Sequence, residues 1–216
     1  MNEDPWYAQR RARWKPARVR LLLIAESAPD DGGDLANRRF FYDEDLTGKD
    51  GLFREVTRAL YDSPILISGS GAKLPWLEKL KADGVYLIDL ATVPVNELGT
   101  GDRAAALSRN VSETVSLATQ LSPDGIALVK QNVFNLLERP LRAAGLPVLH
   151  DTMIPFPGSG QQRRFRERFA GALTRLESPE LVLASTSDET PVAQPREQAV
   201  QSRTRTGAVV PDETET

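Results

Sequence analysis

Four stretches of strand length are apolar almost from end to end: "VRLLLIA" (19–25), "GVYLIDLATVPV" (84–95), "GIALVK" (125–130) and "LPVLHDTMIPF" (146–156). A strand with one wet face alternates apolar and polar residues. An uninterrupted run belongs to a strand covered on both faces, which is the pattern of a parallel sheet. Between the runs lie segments of helical period. "GLFREVTRAL" (51–60) sets Leu52, Phe53, Val56 and Leu60 on one stripe. "KLPWLEKLKADG" (73–84) opens near Pro75 and closes at Gly84. Residues 102–122 read as one helix with Asp102 as N-cap and Leu107, Val111, Val115 and Ala118 facing inward. Residues 133–145 read as a helix disturbed at Pro140, and 161–176 as a last helix burying Phe165, Phe169, Leu173 and Leu176. Strand–helix alternation of this kind predicts an α/β fold: a three-layer α/β/α arrangement around a central four-stranded parallel sheet.

That alternation occupies residues 19–176, one domain's worth of a 216-residue chain. Residues 1–18 form a basic, aromatic lead-in, "PWYAQRRARWKPAR" at its centre. Its reading is an amphipathic helix packing Trp6 and Trp14 on the body; the sharper alternative is an arm that touches a polyanion. Residues 177–216 contain no aromatic residue and are rich in Ser, Thr, Pro, Glu and Gln, which predicts a disordered tail, with "ELVLA" as a patch able to dock. The formal net charge of -3 hides an asymmetry, because eight acids and only three arginines lie from Glu177 onward. The body is therefore slightly basic. With no cysteine, disulfides, thiolate zinc sites and cysteine nucleophiles are excluded. No run is long enough to span a bilayer, and "MNEDPWYAQR" does not read as a secretory signal. The expectation is a cytoplasmic monomer without a membrane partner.

In parallel sheets the ligand lies outside the carboxyl ends of the strands. Glu26, Asp89 and the turn "PFPGSGQ" all fall there. Glu26 has two readings: a cap for amides of its own loop, or a partly desolvated acid that orients or deprotonates water. In "NRRFFYDED" (37–45), one of the rings packs beneath the loop and another is free to stack on a planar ligand. "FPGSGQQRRFR" (156–166) joins a glycine-rich turn to a helix start and three arginines, which suits an anion, with a solvated helix face as the alternative.

Other chemistry is poorly supplied. "ISGSGAK" (67–73) lacks the Lys-Ser/Thr ending of a phosphate loop and reads as a turn. His150, the only histidine, reads as a core or edge residue on the fourth strand. One histidine without cysteine makes no zinc hydrolase, and no G-x-S-x-G marks a serine elbow. Neither a metal nor a cofactor is expected.

The order of these pieces resembles the uracil-DNA glycosylase superfamily over residues 18–175: "LLLIAESAP", the aromatic loop, "GLFREVTRAL", "VYLIDLATVPVN", "ALVKQNVFNLL" and "PFPGSG…RFRERF". The resemblance implies the fold of those enzymes, DNA as partner, and hydrolysis of the N-glycosidic bond of a flipped, damaged base. It implies catalytic roles for Glu26, which positions the water, and for Asp89, which stands where the family reads the base edge. Ala25, Ser27, Phe40, Phe41, Asn96 and Phe156 would surround the base, with Phe41 or Phe40 as the stacking ring. Gly158, Ser159, Gly160, Gln161, Arg163 and Arg164 would grip phosphates. Two departures stand out. Aspartate cannot both accept from and donate to uracil unless protonated. Phe156 stands where the family has a histidine, and cannot donate at all. The alternative on the same fold is a nucleic-acid-binding module without catalysis.

Overall fold

The computed structural model describes residues 4–34 and 37–176; the predicted tail lies outside them. Three parallel strands form the sheet: β1 (Leu21–Ala25), β2 (Val85–Asp89) and β3 (Gly125–Leu128), in the order β2-β1-β3. Leu21 is in register with Val85 on one side and with Gly125 on the other. Every residue of β1 is buried, so both faces of the central strand are covered. The continuous apolar run required this. β2 stops at Asp89, well short of the predicted 95.

The sheet has three strands, not the predicted four. Residues 146–156 pair with it through two isolated parallel bridges, Val148 with Ile126 and Ile154 with Val129, and form no continuous strand. Between them His150 replaces the backbone: its Nε2 accepts from the Leu128 N–H at 2.8 Å. Nδ1 lies 2.9 Å from the Thr152 carbonyl, which fixes the proton on Nδ1. Asp151 and Thr152 therefore bulge outward, and Pro147 and Pro155 remove backbone donors on either side.

Seven helices surround the sheet among the described residues. α1 (Pro5–Arg13) is capped by Asp4, whose Oδ1 accepts from the Trp6 N–H at 2.8 Å. Of the two tryptophans expected to pack on the body, Trp14, just beyond the helix, is buried and Trp6 is partly buried against the core; Tyr7 is buried in addition. α2 (Gly51–Tyr61) packs on α7 (Gln162–Leu173), where buried Glu55 bonds Arg166. α3 (Leu74–Ala82) lies beside β2 and stops at Gly84 with φ 75°. A Cβ at that glycine would stand 2.9 Å from the Arg18 carbonyl, so only glycine fits the turn into β2.

The single helix expected over 102–122 is two: α4 (Thr100–Arg109) and α5 (Val111–Leu121). Asn110 separates them, its Nδ2 donating to the Ala106 carbonyl at 2.8 Å and competing with the backbone ladder. Gly99, not Asp102, holds the N-cap position. α6 (Gln131–Ala143) runs through Pro140 unbroken. Its buried face of Val133, Leu137 and Leu141 holds it against β3 and α5 despite the lost backbone bond. No helix among the described residues is long and apolar enough to cross a membrane.

Candidate functional site

The strands end side by side, and each delivers a charged residue to one place. Glu26 follows β1, Asp89 closes β2, and Lys130 lies two residues past β3. All three line a single cavity of about 270 Å3. Its opposite wall is the aromatic loop with the first turn of α2: Arg39, Phe41, Lys49 and Asp50 lead into Gly51–Phe53. Phe156 completes the rim.

Glu26 is 6% exposed, and its side chain makes no bond to the described residues of its own loop. Its Oε1 accepts from Arg103 Nε at 2.9 Å and Asn132 Nδ2 at 3.1 Å. Its Oε2 accepts from Lys130 Nζ at 2.5 Å and from the second arm of the Arg103 guanidinium. Burial pushes the carboxyl up, but the hydrogen bonds and charges of Arg103 and Lys130 outweigh it and hold Glu26 below the usual carboxylate range. The acid is therefore an anion at neutral pH: a poor proton acceptor, but a firm point for holding a water or facing a cation.

Asp89 is partly buried, with its side chain 4% exposed where it meets the cavity. Burial raises its carboxyl; Arg11, whose Nη2 donates to Oδ2 at 2.8 Å, opposes that, and the nearby Glu26 adds to it. The net displacement is upward. Asp50 meets Lys73, an entirely buried side chain whose Nζ also donates to the Phe40 carbonyl at 3.0 Å. Burial lowers the Lys73 ammonium, with Asp50 partly restoring it.

The charge balance of the cavity follows from these pairs. Its three carboxylates, Glu26, Asp89 and Asp50, are each met by a cation from behind the wall: Arg103, Arg11 and Lys73, none of which lines the cavity. The three cations that do line it are surplus. Arg39 and Lys49 make no side-chain bond to any described residue, and Lys130 shares an acid already matched by Arg103. The wall is aromatic and its own acids and cations balance three against three; the positive surplus arises from the three cations behind it.

Lys130 is the residue that sequence reasoning missed. Its backbone sits at φ 89°, ψ 147°, a region almost reserved for glycine and costing about 1–3 kcal/mol elsewhere. Two backbone bonds impose it: Lys130 N–H donates to the Ile154 carbonyl at 2.8 Å, and its carbonyl accepts from Phe134 N–H at 3.0 Å as α6 begins. The sequence places "VK" inside an apolar run, so it reads as the last strand residue. The only signal was a lysine ending an otherwise apolar strand. Arg103 and Asn132, on α4 and α6, carried no signal at all.

The expected base-binding residues Ala25, Ser27, Phe40, Phe41, Asn96 and Phe156 all line the cavity, but not in the expected states. Phe40 is a core ring, 3% exposed, set edge-on to Tyr7 and Tyr42, and is not free to stack. Phe41 is half-buried against Phe53, and Phe156 is 44% exposed, so these are the available faces. Asn96 is engaged: Oδ1 accepts from Asp30 N–H at 2.8 Å and Nδ2 donates to Glu97. Ser27 Oγ accepts from Val95 N–H at 3.3 Å. Both pin the loops after β1 and β2.

The phosphate-binding candidates Gly158, Ser159, Gly160, Gln161, Arg163 and Arg164 do not line the cavity. Their turn adjoins it, since a Cβ on Gly51 would lie 3.1 Å from the Pro157 carbonyl. Arg163 is exposed and paired with Glu167, an ordinary solvated helix contact. Among the described residues, no three His, Cys, Asp or Glu side chains converge as a metal site requires.

No protein-family model matches the chain, and no curated protein matches it significantly.

Proposed function

We propose that the cavity is a nucleobase pocket and that the protein hydrolyses the N-glycosidic bond of a damaged base turned out of DNA. The observation that carries this reading is the meeting of an ionised carboxylate, Glu26, and two available ring faces, Phe41 and Phe156, in one cavity of about 270 Å3. That lies just below the ~300–1,000 Å3 typical of drug-sized ligands, so it suits one heterocycle. Both uses are matched: rings stack on a base, and an anion faces the cationic sugar that forms as the base departs. The motif resemblance supports the same choice, including a uracil-DNA glycosylase-like arrangement of the sheet and helices.

In this reaction the C1′–N bond breaks with its electron pair going to the base. The oxygen of a water held by Glu26 bonds to C1′, and one proton of that water reaches the base through solvent. Glu26 acts by orienting the water and stabilising positive charge, because a carboxylate this acidic gains little as a base. The lining cations Arg39 and Lys49 meet the phosphates that flank the flipped nucleotide.

The test is alkaline strand scission of oligonucleotides carrying uracil, hypoxanthine, xanthine or ethenocytosine. Scission on one lesion, reduced ~10²–10³-fold in Glu26→Gln, is the expected result. No product on any of them, with salt-sensitive DNA binding retained, favours the second reading, a binding module without catalysis. The observation on its side is the full neutralisation of Glu26 by Arg103.

A further inference from the structure

We propose that Lys130 is a catalytic residue of this pocket: its ammonium takes up the negative charge that develops on the departing base. This rests on the cavity being a nucleobase pocket. Three independent features of the geometry converge on it.

The first is placement. Lys130 lines the cavity with its side chain 34% exposed, while its Nζ touches Glu26 Oε2. One end of the reacting bond faces the carboxylate and the other faces the ammonium beside it, so the two groups divide the charge separation of bond cleavage between them.

The second is surplus. Arg103 alone neutralises Glu26, engaging both carboxylate oxygens from a position outside the cavity, and Asn132 adds a further donor. Lys130 is not needed to balance the acid. Its charge remains for whatever occupies the cavity, in a partly enclosed site where screening is weak.

The third is the backbone. A non-glycine residue at φ 89° is held there by bonds to Ile154 and Phe134 that any residue type would form equally well. Glycine would fit without strain, so the conformation does not explain the lysine; the side chain does. Phe156, which also lines the cavity, has no polar hydrogen to donate. Lys130 is the cavity cation nearest Glu26 and fills that need.

The test compares equilibrium binding of a charged and a neutral ring, orotate and uracil, at pH 7 and low salt, in the full chain and in Lys130→Gln, Lys130→Arg and Lys130→Gly. The wild-type protein is expected to prefer orotate ~10–100-fold, as one charge-assisted hydrogen bond provides. Lys130→Gln and Lys130→Gly lose that preference and Lys130→Arg keeps it. Lys130→Gly, which relieves the backbone, melts no lower than Lys130→Gln, so lost binding is not lost folding. Where the oligonucleotide assay shows excision, both neutral variants slow its single-turnover rate ~10²-fold or more. An unchanged orotate preference in Lys130→Gln, or no preference in the wild type, overturns the role of Lys130 even if excision is observed. Absent excision with the preference intact overturns the glycosylase reading and leaves Lys130 as an anion contact of a binding pocket.

Discussion

Arg11 Nη2 donates to Asp89 Oδ2 at 2.8 Å, joining a helix outside the sheet to the last residue of β2. The Asp89 side chain is 4% exposed and the Arg11 side chain 14%, so the N-terminal helix supplies a largely desolvated counter-charge for an acid lining the cavity. Breaking such a pair from one side leaves an uncompensated buried charge. Arg11→Met is expected to cost about 3–5 kcal/mol in denaturant unfolding. Adding Asp89→Asn removes the orphaned charge and recovers much of that loss, giving a positive coupling in the double-mutant cycle. Additive losses would mean that the pair is not coupled.

Much of the fold was readable because β1, β3 and α7 are consistent at every level. An unbroken apolar run makes β1, and Phe165 and Phe169, four residues apart, make the buried stripe of α7. What failed was decided by single side chains. Residues 146–156 have the composition of a strand, yet the His150 ring takes the place of a backbone carbonyl, and composition does not record where a ring points. Asn110 divides a helix through one hydrogen bond to Ala106. In the site, Glu26 and Asp89 were visible as acids at strand ends. Arg11 lies 78 positions from its partner Asp89, and Arg103 and Lys130 lie 77 and 104 from Glu26; no spacing rule links residues so distant.

Glu26 and Asp89 line the same cavity and are displaced in opposite directions, which gives a signature in acid. Glu26 lies below its ordinary value of 4.5, so below that pH the unfolded chain takes up its proton first and the fold loses stability. Asp89 lies above its ordinary 3.8; between there and its folded value the fold holds the proton more tightly, and stability rises as pH falls. Melting curves from pH 7 to 3 should therefore show a shallower acid loss for Glu26→Gln than for wild type, and a steeper one for Asp89→Asn. The same change of slope in both variants would contradict the assigned displacements.

His150 is expected to matter for stability and not for chemistry. Removing its ring leaves the Leu128 N–H, in the middle of the core, without an acceptor. His150→Phe should cost about 1–3 kcal/mol. Burial lowers the imidazole below its ordinary 6.5, so protonation, which would destroy the Nε2 acceptor, is resisted in the fold. The unfolded chain then binds the proton more readily, and stability should fall as pH drops below about 6.5 in the wild type but not through this group in His150→Phe. On the nucleobase-pocket proposal, DNA binding per folded molecule should be unchanged, because His150 does not line the cavity. A loss of binding with no loss of stability would place His150 in the site instead.

The adjacent phenylalanines of the aromatic loop have different roles, and truncation should separate them. Phe40 packs against Trp6, Tyr7 and Tyr42 and is 3% exposed, so Phe40→Ala opens a core cavity costing about 3–5 kcal/mol. Phe41 and Phe156 line the cavity and keep part of their surface exposed. If the cavity is the nucleobase pocket proposed above, alanine at either should weaken binding of a single-stranded oligonucleotide by ~1–3 kcal/mol, the contribution of one stacked base, while shifting the melting temperature less than Phe40→Ala does. The discriminating measurement is the ratio of binding loss to stability loss. If Phe40→Ala has the larger ratio, the stacking ring is the residue now assigned to the core.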